Sequence, residues 1–295
     1  MRRTALRASL RIAAQRISRL WREQALGPMW IDTHCHLDAD EFDADRDAVV
    51  ARARAAGVTM LVIPTGHVDD RAKASGIAHR YGFAYALGLH PLWIGDALEE
   101  DIGRLRDAVR ESLDDPRFVA VGEIGIDLFE PREVPRQEWF FREQLRIARD
   151  CGLPVIVHVR RSADLLLKHL RRIEVHGGII HAFNGSTQQA DQFIARGFKL
   201  GFGGSLTYSG SQRIRRHAAA LPEQTLVLET DAPYIAPEWR RTPAGVERTE
   251  PADLARIAAE LCTLRDVEPQ TLARANRNNA IEALPRLAPL VATDS

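Results

Sequence analysis

The pattern that most constrains the fold is a regular alternation of short β-prone runs with longer segments of helical periodicity. Eight such runs follow Met29, and they begin near Trp30, Val58, Ala84, Phe118, Pro154, Gly178, Phe198 and Leu226. Amphipathic stretches lie between them, for example from Asp43 to Ala56 and from Arg136 to Asp150. Such alternation predicts a parallel sheet whose strands are joined by crossover helices.

Eight strand–helix units in about 250 residues have the dimension of a (β/α)8 TIM barrel. A doubly wound open sheet would instead show a glycine-rich turn after its first strand, and His34, Cys35 and His36 occupy that place. We therefore predict an α/β fold with one TIM-barrel domain over residues 29–295. Residues 238–250 are predicted to form the longest loop, and the tail from Pro251 is predicted to form closing helices.

Residues 1–28 differ in charge from the rest of the chain. They hold seven arginines and one acid, which leaves 33 basic and 39 acidic residues in the remainder. Apolar positions indicate an arginine-rich helix here: Leu6, Leu10, Ile17, Leu20 and Trp21. A targeting-type peptide, a surface-binding arm and an over-extended start upstream of Met29 all fit this pattern, and we favour the last.

Composition limits the compartment and the partner. The three cysteines, Cys35, Cys151 and Cys262, are odd in number and far apart, which does not suit a disulfide-stapled secreted protein. No apolar run approaches the roughly 20 residues that a membrane-spanning helix needs. We expect a cytoplasmic protein without a membrane partner. The mildly acidic body argues against a long duplex-DNA footprint, which would need many phosphate contacts.

Six side chains that can bind metal ions fall at or just beyond the predicted carboxyl ends of strands. They are His34, His36, Glu123, His158, His181 and Asp231. Residues two apart in a strand project to the same face, so the first two histidines can enter one site while Cys35 points away. In a parallel barrel all strand carboxyl ends meet at one rim, so the six side chains would reach a single cavity.

Four imidazoles and two carboxylates can hold two divalent cations. Zn, Mn, Co or Fe suit such ligands, and a carboxylate-rich site with open positions also admits Mg. A lone strand histidine is more often a satisfied core residue than a ligand, so it is the convergence that supports the metal interpretation. His90 also lies at a predicted strand end, which makes five of the ten histidines. The remaining five fall in predicted helices or loops, where we expect them to be solvated: His67, His79, His169, His176 and His217.

A pair of divalent ions supports hydrolysis, because it activates water and neutralises charge on a phosphoryl or carbonyl oxygen. Asp231 is the natural general base, since a carboxylate at a strand end can also accept the proton of the attacking water. His90 and Arg160 are the candidates for contacting a phosphate. Asp32 and Glu229, each two residues before a predicted ligand, are expected to be supporting groups.

Four aromatic residues are predicted on rim loops: Trp93, Phe183, Tyr208 and Trp239. Aromatic rings at such a rim could stack unpaired bases, a contact that tolerates any base sequence. They could equally anchor the loops. The sequence leaves both interpretations open.

Six stretches together resemble the TatD family of metal-dependent deoxyribonucleases, within the amidohydrolase-like barrels. They are IDTHCHLD (31–38), GLHP (88–91), VGEIGID (121–127), PVIVH (154–158), GIIHAF (178–183) and LETDAP (228–233). They occur in family order across residues 30–284. Two positions depart from the family pattern, Thr249 and the Ser209-Gly210 pair, and they bear on substrate preference only.

The resemblance implies a (β/α)8 barrel with two metal ions. By it, His34, His36, Glu123 and Asp231 would bind one ion and Glu123, His158 and His181 the second, with Glu123 bridging and serving catalysis beside Asp231. It also implies cleavage of DNA phosphodiesters, often from a 3′ end.

Three functions follow as hypotheses. The leading one is a deoxyribonuclease that uses two divalent ions (Mg, Mn, Zn or Co) and acts as an exonuclease on single-stranded or frayed DNA ends. The alternative keeps the metals but changes the bond, as in an ester or amide hydrolase such as an aminoacyl-tRNA deacylase. A barrel that has lost its chemistry and serves as a scaffold is disfavoured, because all six ligand positions are filled.

Overall fold

The computed structural model describes residues 27–129 and 133–291. Most of the arginine-rich extension predicted for residues 1–28 lies outside the described residues, as do residues 292–295. One sheet holds eight strands in chain order: β1 Trp30–Asp32, β2 Val58–Pro64, β3 Ala84–Leu87, β4 Phe118–Asp127, β5 Val155–Arg160, β6 Gly178–His181, β7 Phe198–Phe202 and β8 Leu226–Leu228. Seven predicted strand starts agree with the structure to the residue, and the eighth, at Pro154, is one residue early.

All seven pairs of neighbouring strands are parallel. The sheet closes on itself at its two edges, because the Thr33 amide donates to the Leu228 carbonyl at 3.1 Å and the Asp231 amide donates to the His34 carbonyl at 2.9 Å. The predicted (β/α)8 barrel is confirmed.

Each strand is followed by a helix that crosses back over the sheet. The crossover helices are α1 Arg46–Ala55, α2 Arg71–Tyr81, α3 Glu100–Glu111, α4 Val134–Asp150, α5 Ala163–Leu170, α6 Thr187–Ile194 and α7 Gln212–Ala220. The helix predicted from Asp43 begins later, because a 3₁₀ helix at Asp40–Phe42 and a three-residue turn precede it. The helix predicted from Arg136 begins two residues earlier, at Val134, with Pro135 in its first turn, where a missing amide hydrogen costs nothing.

The tail forms the predicted closing helices, α8 Leu254–Arg265, α9 Pro269–Ala283 and α10 Ala288–Val291. The segment predicted as the longest loop contains a short hairpin, formed by β9 Arg241–Thr242 and β10 Gly245–Val246. Among the described residues, no helix combines the length and the apolarity needed to cross a membrane.

The core lies inside the barrel and between the barrel and its helices. All ten residues of β4 are buried, which explains why the sequence there reads as a nearly continuous apolar run. Cys35 and Cys262 are buried and Cys151 is partly buried, and all three are free thiols. Cys35 packs in this core, as its strand position predicts.

The prediction that five histidines are solvated is wrong for two of them. His169 is 2% exposed and its Nε2 lies 2.6 Å from Glu138 Oε2 of α4, while His217 is 6% exposed and its Nε2 lies 3.0 Å from the Gly185 carbonyl. Both occupy helix faces that turn toward neighbouring elements. Burial of an imidazole is affordable there because each has a hydrogen-bond partner.

Candidate metal centre

The six predicted ligands meet at the carboxyl end of the barrel. His34 and His36 follow β1, Glu123 lies in β4, His158 in β5 and His181 at the end of β6, and Asp231 follows β8. Four of them are buried, and His36 and His158 are partly buried. The sequence prediction that strands 1, 4, 5, 6 and 8 deliver these side chains to one cavity is therefore reproduced.

Four of these side chains form what we call the first donor cluster: His34, His36, Glu123 and Asp231. Nε2 of His34 lies 3.0 Å from Glu123 Oε2 and 3.6 Å from Asp231 Oδ1. Nε2 of His36 lies 3.5 Å and 3.6 Å from the same two oxygens, and the two nitrogens are 3.2 Å apart. Ligands at about 2.0–2.1 Å from a tetrahedral ion are roughly 3.3 Å from one another, so this donor set fits a divalent cation.

A second donor cluster forms on the other oxygen of the same carboxylate. Glu123 Oε1 lies 2.9 Å from His158 Nδ1 and 3.5 Å from His90 Nε2, and these two nitrogens are 3.2 Å apart. Glu123 thus presents one oxygen to each cluster. This is the arrangement a bridging ligand requires.

His181 lies beside the first cluster. Its ring stacks on that of His34 with centroids 3.6 Å apart, and its Nε2 lies 3.7 Å from Asp231 Oδ2, whereas its centroid is 6.4 Å from that of His158. His90 stands next to His158 instead. The six predicted ligands share one cavity, and their division between two ions, with His181 beside His158, stays a prediction.

Carboxylates behind the cavity orient two of the imidazoles. Asp127 Oδ2 lies 3.0 Å from His158 Nε2, and Glu229 Oε1 lies 3.0 Å from His181 Nδ1. The opposite ring nitrogen of each histidine is thereby directed into the cavity, which is how a carboxylate fixes the tautomer of a metal-binding imidazole. Glu229 was expected in this role. Asp127 was not, although it closes the VGEIGID stretch four residues after Glu123.

Comparison with known proteins identifies the family. The family described as "TatD related DNase" matches residues 31–285. The chain belongs to the TatD family. It is 38% identical over 253 residues to the "uncharacterized metal-dependent hydrolase YjjV" of Escherichia coli K12, covering 85% of this chain and 95% of that protein. It is 33% identical over 256 residues to the "3'-5' ssDNA/RNA exonuclease TatD" of Cronobacter sakazakii, covering 84% and 95% of the two chains.

The solved structures agree with the family assignment. The crystal structure of YjjV, described as a TatD homologue from Escherichia coli K12, superposes with a TM-score of 0.81 at 37% identity, covering 87% of this chain and 98% of that one. This TatD-family protein is therefore a metal-dependent hydrolase. Its clusters of imidazole and carboxylate donors supply the metal-binding groups that such an enzyme needs.

Asp32 links the segment that carries His34 and His36 to the segment that carries Asp231. Its Oδ1 accepts hydrogen bonds from the amides of His34 at 3.2 Å and Thr230 at 3.0 Å, and its Oδ2 accepts one from the Thr230 hydroxyl at 2.6 Å. Burial raises the pKa of Asp32 to about 8, although these hydrogen bonds oppose the rise. The carboxyl group joins the end of β1 to the segment that carries Asp231.

The ionisable groups of the centre are strongly coupled. Burial alone would raise the pKa of Glu123, but the neighbouring His34 and His90 hold it well below its usual range. Burial would lower the pKa of His36, but Glu123 and Asp231 raise it to about 9. Without metal, the cavity therefore holds a protonated imidazole, that of His36, beside an ionised carboxylate. Because divalent ions compete with protons for such ligands, metal binding in the TatD-family site will release protons.

Glycine is required where β4 passes β5. Gly125 has φ +157°, and a Cβ built on it would lie 2.2 Å from the His158 carbonyl oxygen. Only glycine permits this approach. The close contact brings the strand that carries Glu123 against the strand that carries His158.

The rim residues have different positions. Arg160 is 49% exposed and its Nη1 lies 4.0 Å from Asp127, so it stands outside both donor clusters. Trp93 is 52% exposed, whereas Phe183 is 1% exposed and packs in the core, where it cannot stack a base. Tyr208 and Trp239 anchor loops through hydrogen bonds to the Ala236 carbonyl and to Asp253.

Tyr234 is a rim residue that sequence reasoning missed. Its ring is 57% exposed, and its centroid lies 5.4 Å from that of His36. Its position three residues after Asp231 was the available signal. It is an exposed aromatic ring directly at the mouth of the TatD-family site.

Proposed function

We infer that this TatD-family protein is a deoxyribonuclease that removes nucleotides from single-stranded or frayed DNA ends. The observation that carries the proposal is the position of Glu123, whose two oxygens face two separate donor clusters. Two-metal sites of this kind suit in-line displacement at phosphorus. A relative at 33% identity is named a 3'-5' exonuclease for single-stranded DNA and RNA, which supports the same substrate class.

The proposed ligands form two sets, one for each ion, and the two sets share Glu123. His34, His36, Glu123 and Asp231 would hold one ion, and Glu123 with His158 and His181 the other. Bound Mg, Mn, Zn or Co would lower the pKa of a water molecule and neutralise charge that develops on a phosphoryl oxygen. Glu123 would act in catalysis by keeping the two positive charges close together.

Asp231 is proposed to accept the proton of the attacking water. Its side chain is 11% exposed, compared with 2% for Glu123, so it is the acid of the first cluster that solvent and substrate reach most easily. Burial alone would raise its pKa, but His181, His34 and His36 hold the pKa below the usual range. The carboxylate is therefore ionised at neutral pH and able to take a proton.

His90 and Arg160 are proposed to contact the substrate. Burial lowers the pKa of His90, which keeps its imidazole neutral beside the second cluster. Arg160 stands outside the cavity, in the path of a strand that enters it. The donor atoms lie at a buried depth that a chain end reaches more easily than an intact duplex does.

The proposal places the enzyme in the cytoplasm. The three free cysteines suit a reducing compartment, where disulfides are rare. No membrane partner is proposed. DNA is the one partner that the reaction requires.

The test uses purified protein that is stripped of metal and then supplied with Mg, Mn, Zn or Co. End-labelled single-stranded DNA and a nitrophenyl ester are offered side by side. We expect metal-restored shortening of the DNA from one end, and Asp231→Asn should lower this rate at least roughly a thousandfold while circular dichroism shows an intact fold. The exposed Asp191→Asn, on α6, is the matched control and should retain the wild-type rate.

Other outcomes are equally informative. Ester cleavage with intact DNA would replace the nuclease with the ester or amide hydrolase alternative, such as an aminoacyl-tRNA deacylase. A wild-type rate in the Asp231 variant would remove that residue from catalysis.

A further inference from the structure

Two consecutive arginines at the end of β5 cover one exposed aromatic ring. The guanidinium carbon of Arg160 lies 3.8 Å from the centroid of Phe129, and that of Arg161 lies 4.8 Å from the same centroid. Phe129 is 47% exposed, and both arginines are exposed. We call these three residues the rim clamp.

The backbone explains how neighbouring residues reach the same ring. Successive side chains of a strand point to opposite faces, so two consecutive arginines in a regular strand could not share a partner. β5 ends at Arg160, and Arg161 has φ +58°. This left-handed conformation, uncommon for a residue other than glycine, turns the Arg161 side chain to the side of Arg160.

Among the described residues, the positive charges of the rim clamp are poorly compensated. Asp127 is the nearest described acid to Arg160, at 4.0 Å, and its oxygens already accept from the Phe129 amide at 2.8 Å and contact His158 at 3.0 Å. Within the described part of the chain, Arg161 makes no hydrogen bond and no ion pair. Two like charges side by side repel each other, and an anion between them would remove that repulsion.

The rim clamp lies one side chain away from the second donor cluster. Asp127 is the link, because its Oδ2 contacts both Nε2 of His158 and the guanidinium of Arg160. A strand whose scissile phosphate sits at the donor clusters would place a neighbouring phosphate near this rim. Guanidinium groups held on an aromatic surface are well suited to bind it, since their planar donors match phosphate oxygens.

We propose that Arg160 and Arg161, supported by Phe129, bind a second phosphate of the substrate, one that is not cleaved. The inference rests on the proposed nuclease function and deepens it, because it makes the preferred substrate a strand with at least two phosphates. Arg160 is thereby joined by Arg161 and Phe129 as residues that determine specificity.

The test compares a substrate with one phosphate and a substrate with many. The full-length enzyme, loaded with its most active metal, is assayed on bis(p-nitrophenyl) phosphate and on oligothymidylate. We expect Arg161→Gln to lower the ratio of kcat/KM on oligothymidylate to kcat/KM on the nitrophenyl diester about tenfold, mainly through KM. Phe129→Leu, which removes the ring but keeps an apolar side chain, should lower the same ratio.

The matched control is Arg172→Gln. Arg172 is an exposed arginine that follows α5, on the opposite face of the barrel from the rim. It should leave the substrate ratio at the wild-type value. A ratio that is unchanged in Arg161→Gln, or lowered equally by the control, would overturn the rim clamp.

A binding measurement separates this proposal from the nuclease proposal. Anisotropy of labelled oligothymidylate is titrated in chelator, where no hydrolysis occurs, at several salt concentrations. Arg161→Gln should bind more weakly, with a log–log salt slope that is smaller by about 0.7. If the wild type hydrolyses neither substrate, the nuclease proposal fails. If the wild type and Arg161→Gln bind oligothymidylate equally, or if neither binds it, the rim clamp is overturned.

Discussion

The two ends of the barrel bury polar groups in opposite ways. At the carboxyl end, imidazoles and carboxylates that can ionise face one another, and two histidine nitrogens meet at 3.2 Å in each donor cluster. At the amino end, side chains of the tail satisfy backbone carbonyls instead. Arg286 donates to the carbonyls of Phe118 at 2.6 Å, Leu113 at 2.8 Å and Asp115 at 2.8 Å.

Asn279 on α9 acts at the amino end in the same manner. Its side-chain amide donates to the carbonyls of Glu223 and Leu226, both at 2.7 Å, where β8 begins. Each of these contacts joins a donor to an acceptor. The amino end is therefore arranged for stability.

The difference is what a metal-dependent hydrolase needs, because the carboxyl end leaves charges that a bound metal ion can compensate. Facing imidazoles and buried carboxylates are costly without a positive ion between them, because each charge has lost its water. The barrel tolerates such a cluster because backbone carbonyls at the amino end of the same strands have hydrogen-bond partners. Activity and stability should thus respond to different substitutions.

The largest effect should come from Glu123→Gln, which keeps the size of the side chain and removes its charge. Because Glu123 faces both donor clusters, we expect both metal affinities to fall about a hundredfold or more and hydrolysis to fall at least roughly a thousandfold. Isothermal titration calorimetry with Mn or Zn measures the affinities. One ion that still binds at the wild-type affinity would show that Glu123 does not bridge.

Metal addition should stabilise the protein more than any single contact does. At a free metal concentration of about 100 Kd, linkage gives about 2.7 kcal/mol, or roughly 5–10 °C in Tm for a chain of this size. Differential scanning calorimetry before and after chelation measures the shift. Glu123→Gln should lose most of it, and an equal shift in that variant would place the stabilising ion elsewhere.

At the amino end, Arg286→Ala should lower stability and leave catalysis alone. Loss of its donors to three carbonyls should cost roughly 2–4 kcal/mol in the free energy of unfolding, with kcat unchanged. Urea unfolding and the hydrolysis assay provide the two readouts. The control is Arg274→Ala on α9, because the exposed Arg274 side chain makes, among the described residues, a single hydrogen bond, to Thr271. It should change stability by less than about 0.5 kcal/mol. A lower kcat in Arg286→Ala would show that the two ends are not independent.

The sequence predicts the barrel well because its strands are local signals. Each strand is a short buried apolar run bounded by turns, so seven starts agree with the structure and Pro154 differs by one residue. The predicted ligands converge because they lie at or just beyond the carboxyl ends of the strands, which meet at one rim of a parallel barrel.

What the sequence missed depends on contacts between distant segments. His169 and His217 lie on helices, where burial is decided by which neighbour packs against that face, and no local pattern distinguishes them from solvated histidines. Asp127 in β4 contacts His158 in the neighbouring β5, and His90, which follows β3, lies beside the same histidine. The ring of Phe129 is contacted by arginines about 30 positions later in the chain, which no local pattern around Phe129 indicates.

The smallest predicted effect concerns the seam where the barrel closes, between α1 and the segment before α8. Glu250 accepts from Arg52 Nε at 2.7 Å and from Arg248 Nη2 at 3.2 Å. Burial would raise the pKa of Glu250, but these two arginines hold it below its usual value. A carboxyl group whose pKa is lower in the folded state stabilises the fold above its unfolded pKa, and this contribution is lost as the pH falls through the folded pKa.

Glu250→Gln should therefore cost only about 1 kcal/mol at pH 7, since Arg52 is half exposed and water screens the pair. The difference between wild type and variant should shrink as the pH falls below about 4.5. Urea unfolding at pH 7, 5 and 3.5 measures it. A difference that stays constant over this range would mean that Glu250 stabilises the seam through contacts that do not depend on its charge and that the amide loses. A difference that grows would reverse the sign of its pKa shift. In the first case the seam would resemble the amino end, where each donor meets its acceptor, and in the second it would resemble the carboxyl end, where buried carboxylates are costly without a cation.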